Sequence, residues 1–148
     1  MIYAIISALI FALDFVIKDW IENETTDGEE IKISKLPLLL KKYHNRGAFL
    51  NAGENNSKLV AMISVIMTLA LTVLFLVTFT FKGSRLLKTG LAFLLGGAYS
   101  NTYDRMRRHY VVDYVSFPVK NKFIRRIVFN ISDFCIMIGA LCMVLGSV

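Results

Sequence analysis

Ile127-Val-Phe-Asn-Ile-Ser-Asp-Phe-Cys-Ile-Met-Ile-Gly-Ala-Leu-Cys-Met-Val-Leu-Gly-Ser-Val148 reads as an apolar helix of membrane length with one carboxylate set inside it, Asp133. An ionisable side chain in such a segment is costly to keep and marks a functional site by default. A second carboxylate, Asp113, lies upstream in Val111-Val-Asp-Tyr114. Two aspartates that can meet at one membrane edge suggest an aspartyl dyad.

The other hydrophobic stretches place that segment in a larger pattern. Ile2–Trp20, Leu59–Phe81 and Leu86–Tyr103 also reach or approach the roughly 20 residues needed to cross the hydrocarbon. With 148 residues there is room for one domain, covering 1–148. At 55% hydrophobic and a mean hydropathy of +0.56, the chain is too apolar for an ordinary soluble fold. The composition predicts an all-α integral membrane protein. It has four transmembrane helices, about 2–20, 59–81, 86–103 and 127–148, with loops about 21–58 and 104–126. The first stretch lacks a basic leader and a small-residue cleavage site and carries Asp14 and Lys18, so it does not read as a cleavable signal.

The net charge of +6 falls in short loops between apolar spans. Nucleic-acid binding needs a binding fold beside the basic footprint, and none is present, so membrane lipids are the expected partners of these charges. Cys135 and Cys142 sit about 10 Å apart along one helix, too far for a disulfide, and read as packing residues. His44 and His109 stand outside any zinc-ligand spacing and read as isolated interfacial or solvated side chains. No metal or cofactor is expected.

The long first connection starts acidic, with a turn expected at Asp27-Gly28, and then alternates at period two through Ile31-Lys-Ile-Ser-Lys-Leu-Pro37, which predicts a short strand. Leu36-Pro-Leu-Leu-Leu40 is too short to span and is expected at the interface. Lys82-Gly-Ser-Arg-Leu-Leu-Lys88 reads as a tight basic turn. With four spans, parity puts Asp14, Lys18, Asn45, Asn101, Asp104, Arg105, Asp113, Asn130 and Asp133 on one side of the membrane. The Lys and Arg count is three in 82–88 against seven in 18–58 and seven in 101–126. Read literally, that count puts the polar side in the cytoplasm.

Within the spans, Asp14 and Lys18 are one turn apart, acid first, the favourable order for a helical pair, and read as a structural tie. Asp104 is expected to pair with Arg105 or Arg108. Gly96-Gly-Ala98 offers close helix contact. Asn130 and Asp133 share a face of the last helix, which puts Asp133 about 10 Å in from Arg126. If Asp113 folds back onto it, the two carboxylates cannot both ionise cheaply, and the pair holds one proton. That state supplies a base for water and an acid for a leaving amine. The spacing also allows both aspartates to be neutralised by nearby arginines. A non-enzymatic proton- or ion-coupled membrane subunit, using Asp14/Lys18 and Asp104/Arg105, is the rival reading from another class.

In order along the chain, Asp14-x-x-x-Lys18, Tyr43-His-Asn-Arg-Gly-Ala-Phe49, Gly96-Gly-Ala98 leading to Asn101-x-x-Asp104-Arg105, Val111-Val-Asp113-Tyr and Phe129-Asn130-Ile-Ser-Asp133 resemble the motif blocks of the lipoprotein (type II) signal peptidases. Phe15 stands where that family usually has glutamine, and Ser132 where it usually has alanine. The resemblance implies Asp113 and Asp133 as catalytic residues, Asn45, Gly47, Asn101, Arg105 and Asn130 around the substrate, and Asp14, Lys18 and Asp104 as structural polar groups. It implies a small extracytoplasmic β-cradle in the first loop and a multi-pass enzyme of the bacterial cytoplasmic membrane with its site on the extracytoplasmic face, against the charge count. The implied substrate is a diacylglyceryl-modified prolipoprotein, cut on the amino side of the lipidated cysteine. Peptide antibiotics of the globomycin type are the implied inhibitors.

Overall fold

In the computed structural model of the chain, residues 1–26, 28–33, 37–48, 51–80, 84–119, 121–125 and 127–147 are described, the side chains of 122 and 123 excepted. The expectations at Asp27, Ser34–Leu36, Phe49, 81–83, Lys120 and Arg126 fall outside those residues. Four long helices carry the architecture: α1 (Ile2–Glu24), α2 (Ser57–Val77), α3 (Arg85–Arg107) and, after the four-residue α4 (Lys122–Arg125), α5 (Ile131–Gly146). Three strands, β1 (Glu30–Lys32), β2 (Leu39–Asn45) and β3 (Val111–Ser116), form one antiparallel sheet in the order β1-β2-β3.

The helices bury polar groups at one end of the bundle and an apolar cluster of Phe75, Leu91, Ala92 and Leu95 at the other, while their outer faces are apolar. On α1 the buried residues are Ser7, Asp14, Lys18 and Ile21, which share a helical stripe, while Ile5, Leu9, Leu13 and Val16 are exposed. The same outward apolar surface continues on α2 (Met62, Ile66, Leu69, Val73) and α5 (Met137, Leu141, Val144). Among the described residues one helix, Glu54–Val77 with 24 residues, is by itself long and apolar enough to cross a membrane, and Ile131–Gly146 is a shorter apolar helix.

Helix α3 is the hub, and two adjacent glycines let it touch a helix on each side. A Cβ on Gly96 would lie 2.7 Å from the Ser7 carbonyl of α1, and one on Gly97 would lie 2.5 Å from the Ser132 carbonyl of α5. Backbones this close leave no room for a side chain. We therefore expect Gly97→Val to cost about 1–3 kcal/mol by overpacking, seen as a lowered unfolding temperature in detergent micelles. A wild-type melting curve for that variant would refute the contact.

The sheet departs from the sequence expectation in one instructive way. Its first two strands come from the 21–58 loop, as the cradle reading requires, but the third comes from the 104–126 loop. Asp113 lies on that third strand, opposite Tyr43. Leu39 and Leu40, expected at the interface, are strand residues paired with Lys32 and Ile31. On the other edge of β3, Phe129 exchanges backbone hydrogen bonds with Val115 (2.6 and 2.8 Å). This pairing consumes Val128 and Phe129 as extended backbone, so α5 starts at Ile131 and not near Ile127. Asp133 is accordingly in the first turn of α5, nearer the helix start than the expected depth of about 10 Å from Arg126.

Candidate active site

Two chain segments deliver the two aspartates, and the Phe129–Val115 bridge holds them together. Asp113 is two residues before Val115, and Asp133 is four residues after Phe129. Asn130 sits between them as the N-cap of α5. Its Oδ1 accepts from the Asp133 backbone N–H (2.9 Å), while its own backbone N–H donates to Asp133 Oδ2 (3.1 Å), a reciprocal capping box. With Oδ1 committed to an N–H, the Asn130 amide must turn Nδ2 the other way, where it donates to Asp113 Oδ1 (2.7 Å).

The remaining oxygens are served by two further asparagines. Asn45 Nδ2 donates to Asp113 Oδ2 (3.0 Å) from the end of β2, and Asn101 Nδ2 donates to Asp133 Oδ1 (2.9 Å) from α3. The orientation of Asn101 is forced as well. Its Oδ1 accepts from Lys18 Nζ (2.8 Å), a group with no acceptor to offer, so the amide nitrogen has to face Asp133. These donors are all neutral amides. Neither aspartate is in an ion pair among the described residues, so no arginine neutralises either by contact, although Arg105 shares their cavity and its charge acts on both at longer range.

Neutral donors leave the carboxyls poorly compensated for burial. Asp113 is 2% exposed, and burial first, then the Asp133 carboxylate beside it, pushes its pKa up from 3.8 to about 7. A carboxyl that carries a proton near neutrality can exchange it in either direction during a reaction.

Beneath the pair lies a second, fully buried cluster. Asp14 pairs with Lys18 (2.9 Å), and Lys18 also reaches Asp104 (3.2 Å) and Ser100 (3.1 Å). Asp104 takes Arg108 as its second cation (3.2 Å) and also accepts from the Val112 N–H. Arg105 is not in that pairing: its Nη2 donates to the Gly47 carbonyl (3.0 Å) and its Nη1 to the Asn101 carbonyl (3.3 Å). The Asp104/Arg105 pair of the transport reading is therefore absent among the described residues.

Three partners of Asp14 carry no signal in the sequence. Ser100 and Ser132 donate to its Oδ2 (2.6 and 2.5 Å), and Tyr114 donates to Oδ1 (2.7 Å) while accepting from the Ile131 N–H (3.1 Å). Ser132, conspicuous in sequence only as a departure from alanine, thus ties the residue next to Asp133 to α1. His44 is not isolated either, since its ring nitrogen meets Glu22 at 2.9 Å.

Asp113, Asp133, Asn45, Asn101 and Arg105 line one side of a cavity of about 590 Å³. The facing walls are apolar, from Ile63, Met67 and Leu71 of α2 and Ile136 and Met137 of α5. Such a cavity suits an extended or helical segment with apolar side chains whose backbone crosses a pair of carboxyls. Asn130 and Gly47 do not line it; Asn130 touches Asp113 and Asp133 from behind, and the Gly47 carbonyl accepts from Arg105. Nucleophilic serine chemistry has no support, because the buried serines near the pair donate to Asp14 and lack a histidine partner.

Comparison with known proteins is consistent across the chain. Residues 6–148 match the family model described as Signal peptidase (SPase) II. Curated relatives named lipoprotein signal peptidase include those of Clostridium tetani (30% identical, covering 95% of this chain and 88% of the relative), Clostridioides difficile (31%, 94% and 89%) and Alteromonas mediterranea (33%, 92% and 76%). A bacterial membrane enzyme solved by the in meso method at 2.3 Å shares the fold, with a TM-score of 0.80 at 23% identity over 97% of this chain and 85% of the other.

Proposed function

The chain belongs to the signal peptidase II family of aspartyl endopeptidases, and from that premise we propose that Asp113 and Asp133 are its reacting carboxyls and a lipid-modified prolipoprotein its substrate. The observation that carries this reading is the pair itself: one buried and one half-buried carboxyl at one cavity wall, each held by neutral amides and neither ion-paired among the described residues. The ionised member takes a proton from water as the water oxygen attacks the scissile carbonyl. The protonated member gives its proton to the departing amine as the C–N bond breaks, so that the pair ends with one proton, as it began. Arg105 and Asn45 border the cavity as positioning groups, and Asn101 and Asn130 hold the carboxyls. The cut falls on the amino side of the lipidated cysteine.

We read α1, α2, α3 and α5 as four membrane spans. Support comes from the outward apolar faces of α1, α2 and α5 and from the collection of the polar groups, with the sheet, at one end of the bundle. α1 and α3 carry charges that spoil their mean hydropathy, but Asp14, Lys18 and Asp104 are buried against one another, which is how charged groups persist in a membrane protein. The site end faces the extracytoplasmic side, where signal peptides of exported lipoproteins emerge. A cavity at the membrane edge then receives a substrate whose signal helix and acyl chains are both in lipid.

The test is a gel-shift and mass analysis of a diacylglyceryl prolipoprotein incubated with the purified protein, beside labelling of single cysteines placed in 28–33 in intact cells. Product beginning at the lipidated cysteine, with label added from outside, is the expected result. An uncleaved competent substrate would end the peptidase reading, and labelling only from the cytoplasm would end the orientation. The titration of the pair predicts a bell-shaped dependence of kcat/KM on pH. Because the Asp113 value is raised to about 7, the last proton leaves the pair there, and activity falls as pH rises through that region. A rate that still climbs between pH 7 and 9 would contradict a one-proton pair.

A further inference from the structure

Outside the cavity, at the loop end of α1, three separate segments converge on one carboxylate. Glu22, in the last turn of α1, takes His44 of β2 at 2.9 Å on Oε2 and the Tyr110 hydroxyl, from the connection between α3 and β3, at 2.9 Å on Oε1. The imidazole and phenol rings stack with centroids 4.0 Å apart, and Lys42 Nζ donates to the Glu22 backbone carbonyl (3.2 Å). Neither ring lines the cavity, yet each belongs to the immediate neighbour of a residue that does: His44 precedes Asn45, and Tyr110 precedes Val111. Alternation along a strand turns His44 toward Glu22 and Asn45 the opposite way, toward Asp113.

We propose that Glu22, His44 and Tyr110 form a positioning clamp that holds the end of β2 so that Asn45 donates to Asp113; the proposal rests on Asp113 being one of the reacting carboxyls. The need for a clamp is visible in the sheet. Pairing of β2 with β3 is irregular between Leu40 and Tyr43, so the end of the strand rests on the short run of Tyr43 with Asp113, His44 with Val112 and Asn45 with Val111, cut off from the pairs at Leu39 and Leu40. Beyond Asn45 the chain is held by Arg105 on the Gly47 carbonyl. Asn45 therefore sits at the end of that short ladder, between an inner anchor, Arg105, and an outer one, Glu22. Each Glu22 oxygen has its own partner from a different segment, so the carboxylate joins β2 to the start of β3 as well as to α1. The charged groups of the clamp are Glu22 on α1, Lys42 on β2, and Arg108, paired with Asp19 and Asp104, beside Tyr110.

The clamp acts on chemistry through one hydrogen bond, which gives it a readout distinct from general stability. The Asn45 donor lowers the Asp113 pKa; losing that donor raises it, so the alkaline limb of the kcat/KM profile moves to higher pH. The experiment measures that profile on the full-length protein in detergent with a lipidated prolipoprotein, for wild type, His44→Ala, His44→Gln, Glu22→Gln and Tyr110→Phe, beside Asp113→Asn. His44→Ala and Glu22→Gln are expected to move the alkaline limb up by about half to one pH unit. His44→Gln, which keeps an amide N–H for Glu22, is expected to stay near wild type. Loss of folded protein alone lowers the amplitude without moving the limb, so limbs that coincide with wild type in Glu22→Gln, Tyr110→Phe and, where it folds, His44→Ala would overturn the clamp. An active Asp113→Asn protein would overturn the dyad reading itself, whereas an inactive one beside unmoved limbs would overturn the clamp alone.

Discussion

Asp113→Asn and Asp133→Asn are each expected to reduce cleavage of a lipidated prolipoprotein by about 10³-fold or more while leaving the protein folded. General acid–base catalysis supplies about 10²–10⁴-fold per positioned group, and each substitution removes a group that must both gain and lose a proton. The stability side of the same experiment separates chemistry from folding. The Asp113 pKa is raised in the folded state, from 3.8 to about 7, so its contribution to stability is complete below about pH 4 and is lost as pH rises through about 7. That loss is on the order of 4 kcal/mol by pH 8. The amide that replaces Asp113 cannot ionise, although its NH₂ faces one of the two amide donors that the carboxylate accepted, a loss of about 1–3 kcal/mol. The Asp113→Asn protein is therefore expected to be inactive but at least as heat-stable as wild type at pH 8, and to lose that advantage at pH 5. A variant that is inactive because it is unfolded, or one that still cuts, would each contradict the assignment.

How far the residues announce this arrangement depends on the range of the interaction. The aspartates are legible because an isolated charge in an apolar stretch is expensive, and the Asp14–Lys18 tie because its spacing is local to one helix. The start of α5 is displaced from the expected one because Ile127-Val-Phe129 is as hydrophobic as the helix that follows. The competing force is a strand pairing to Val115, invisible along the chain. A local signal does exist: Asn130 followed at the third position by Asp133 is a helix-start pattern, and it places Asp133 in the first turn. β3 carries its own local mark, since Val111-Val-Asp-Tyr-Val115 is rich in β-branched and aromatic residues. Nothing local says that it will pair with a strand from another loop. Ser100, Ser132 and Tyr114 come from three elements and meet only at Asp14, and Glu22 and His44 from two. Contacts of that kind carry no periodicity. The likeness in motif order to a known family supplies the roles that spacing leaves open; the geometry supplies the reason for Ser132.

Lys18→Met is expected to be the most damaging single change to the fold. Lys18 is 1% exposed and its Nζ has four partners: Asp14, Asp104, Ser100 and Asn101. Removing it leaves Asp14 buried with no cation in reach among the described residues and Asp104 with Arg108 alone. Breaking a buried pair by deleting one partner costs about 3–5 kcal/mol, a large share of the stability of a domain this size. We expect little monodisperse protein after extraction into detergent, and for what survives a lowered unfolding temperature. Pairing the change with Asp14→Asn removes the stranded charge and should restore much of the yield, because an amide still accepts from Ser100 or Ser132. Activity should not return with the fold. Without Lys18, Asn101 Oδ1 keeps only the longer donation from Asn130 Nδ2 (3.2 Å), so its amide is aimed less firmly and the donor to Asp133 is weakened. The double variant thus separates the two tasks of one lysine, neutralising the interior and orienting an asparagine. A Lys18→Met protein that melts like wild type would show that the ion cluster does not hold the helices together. A double variant with full activity would show that Asn101 is aimed by something other than Lys18.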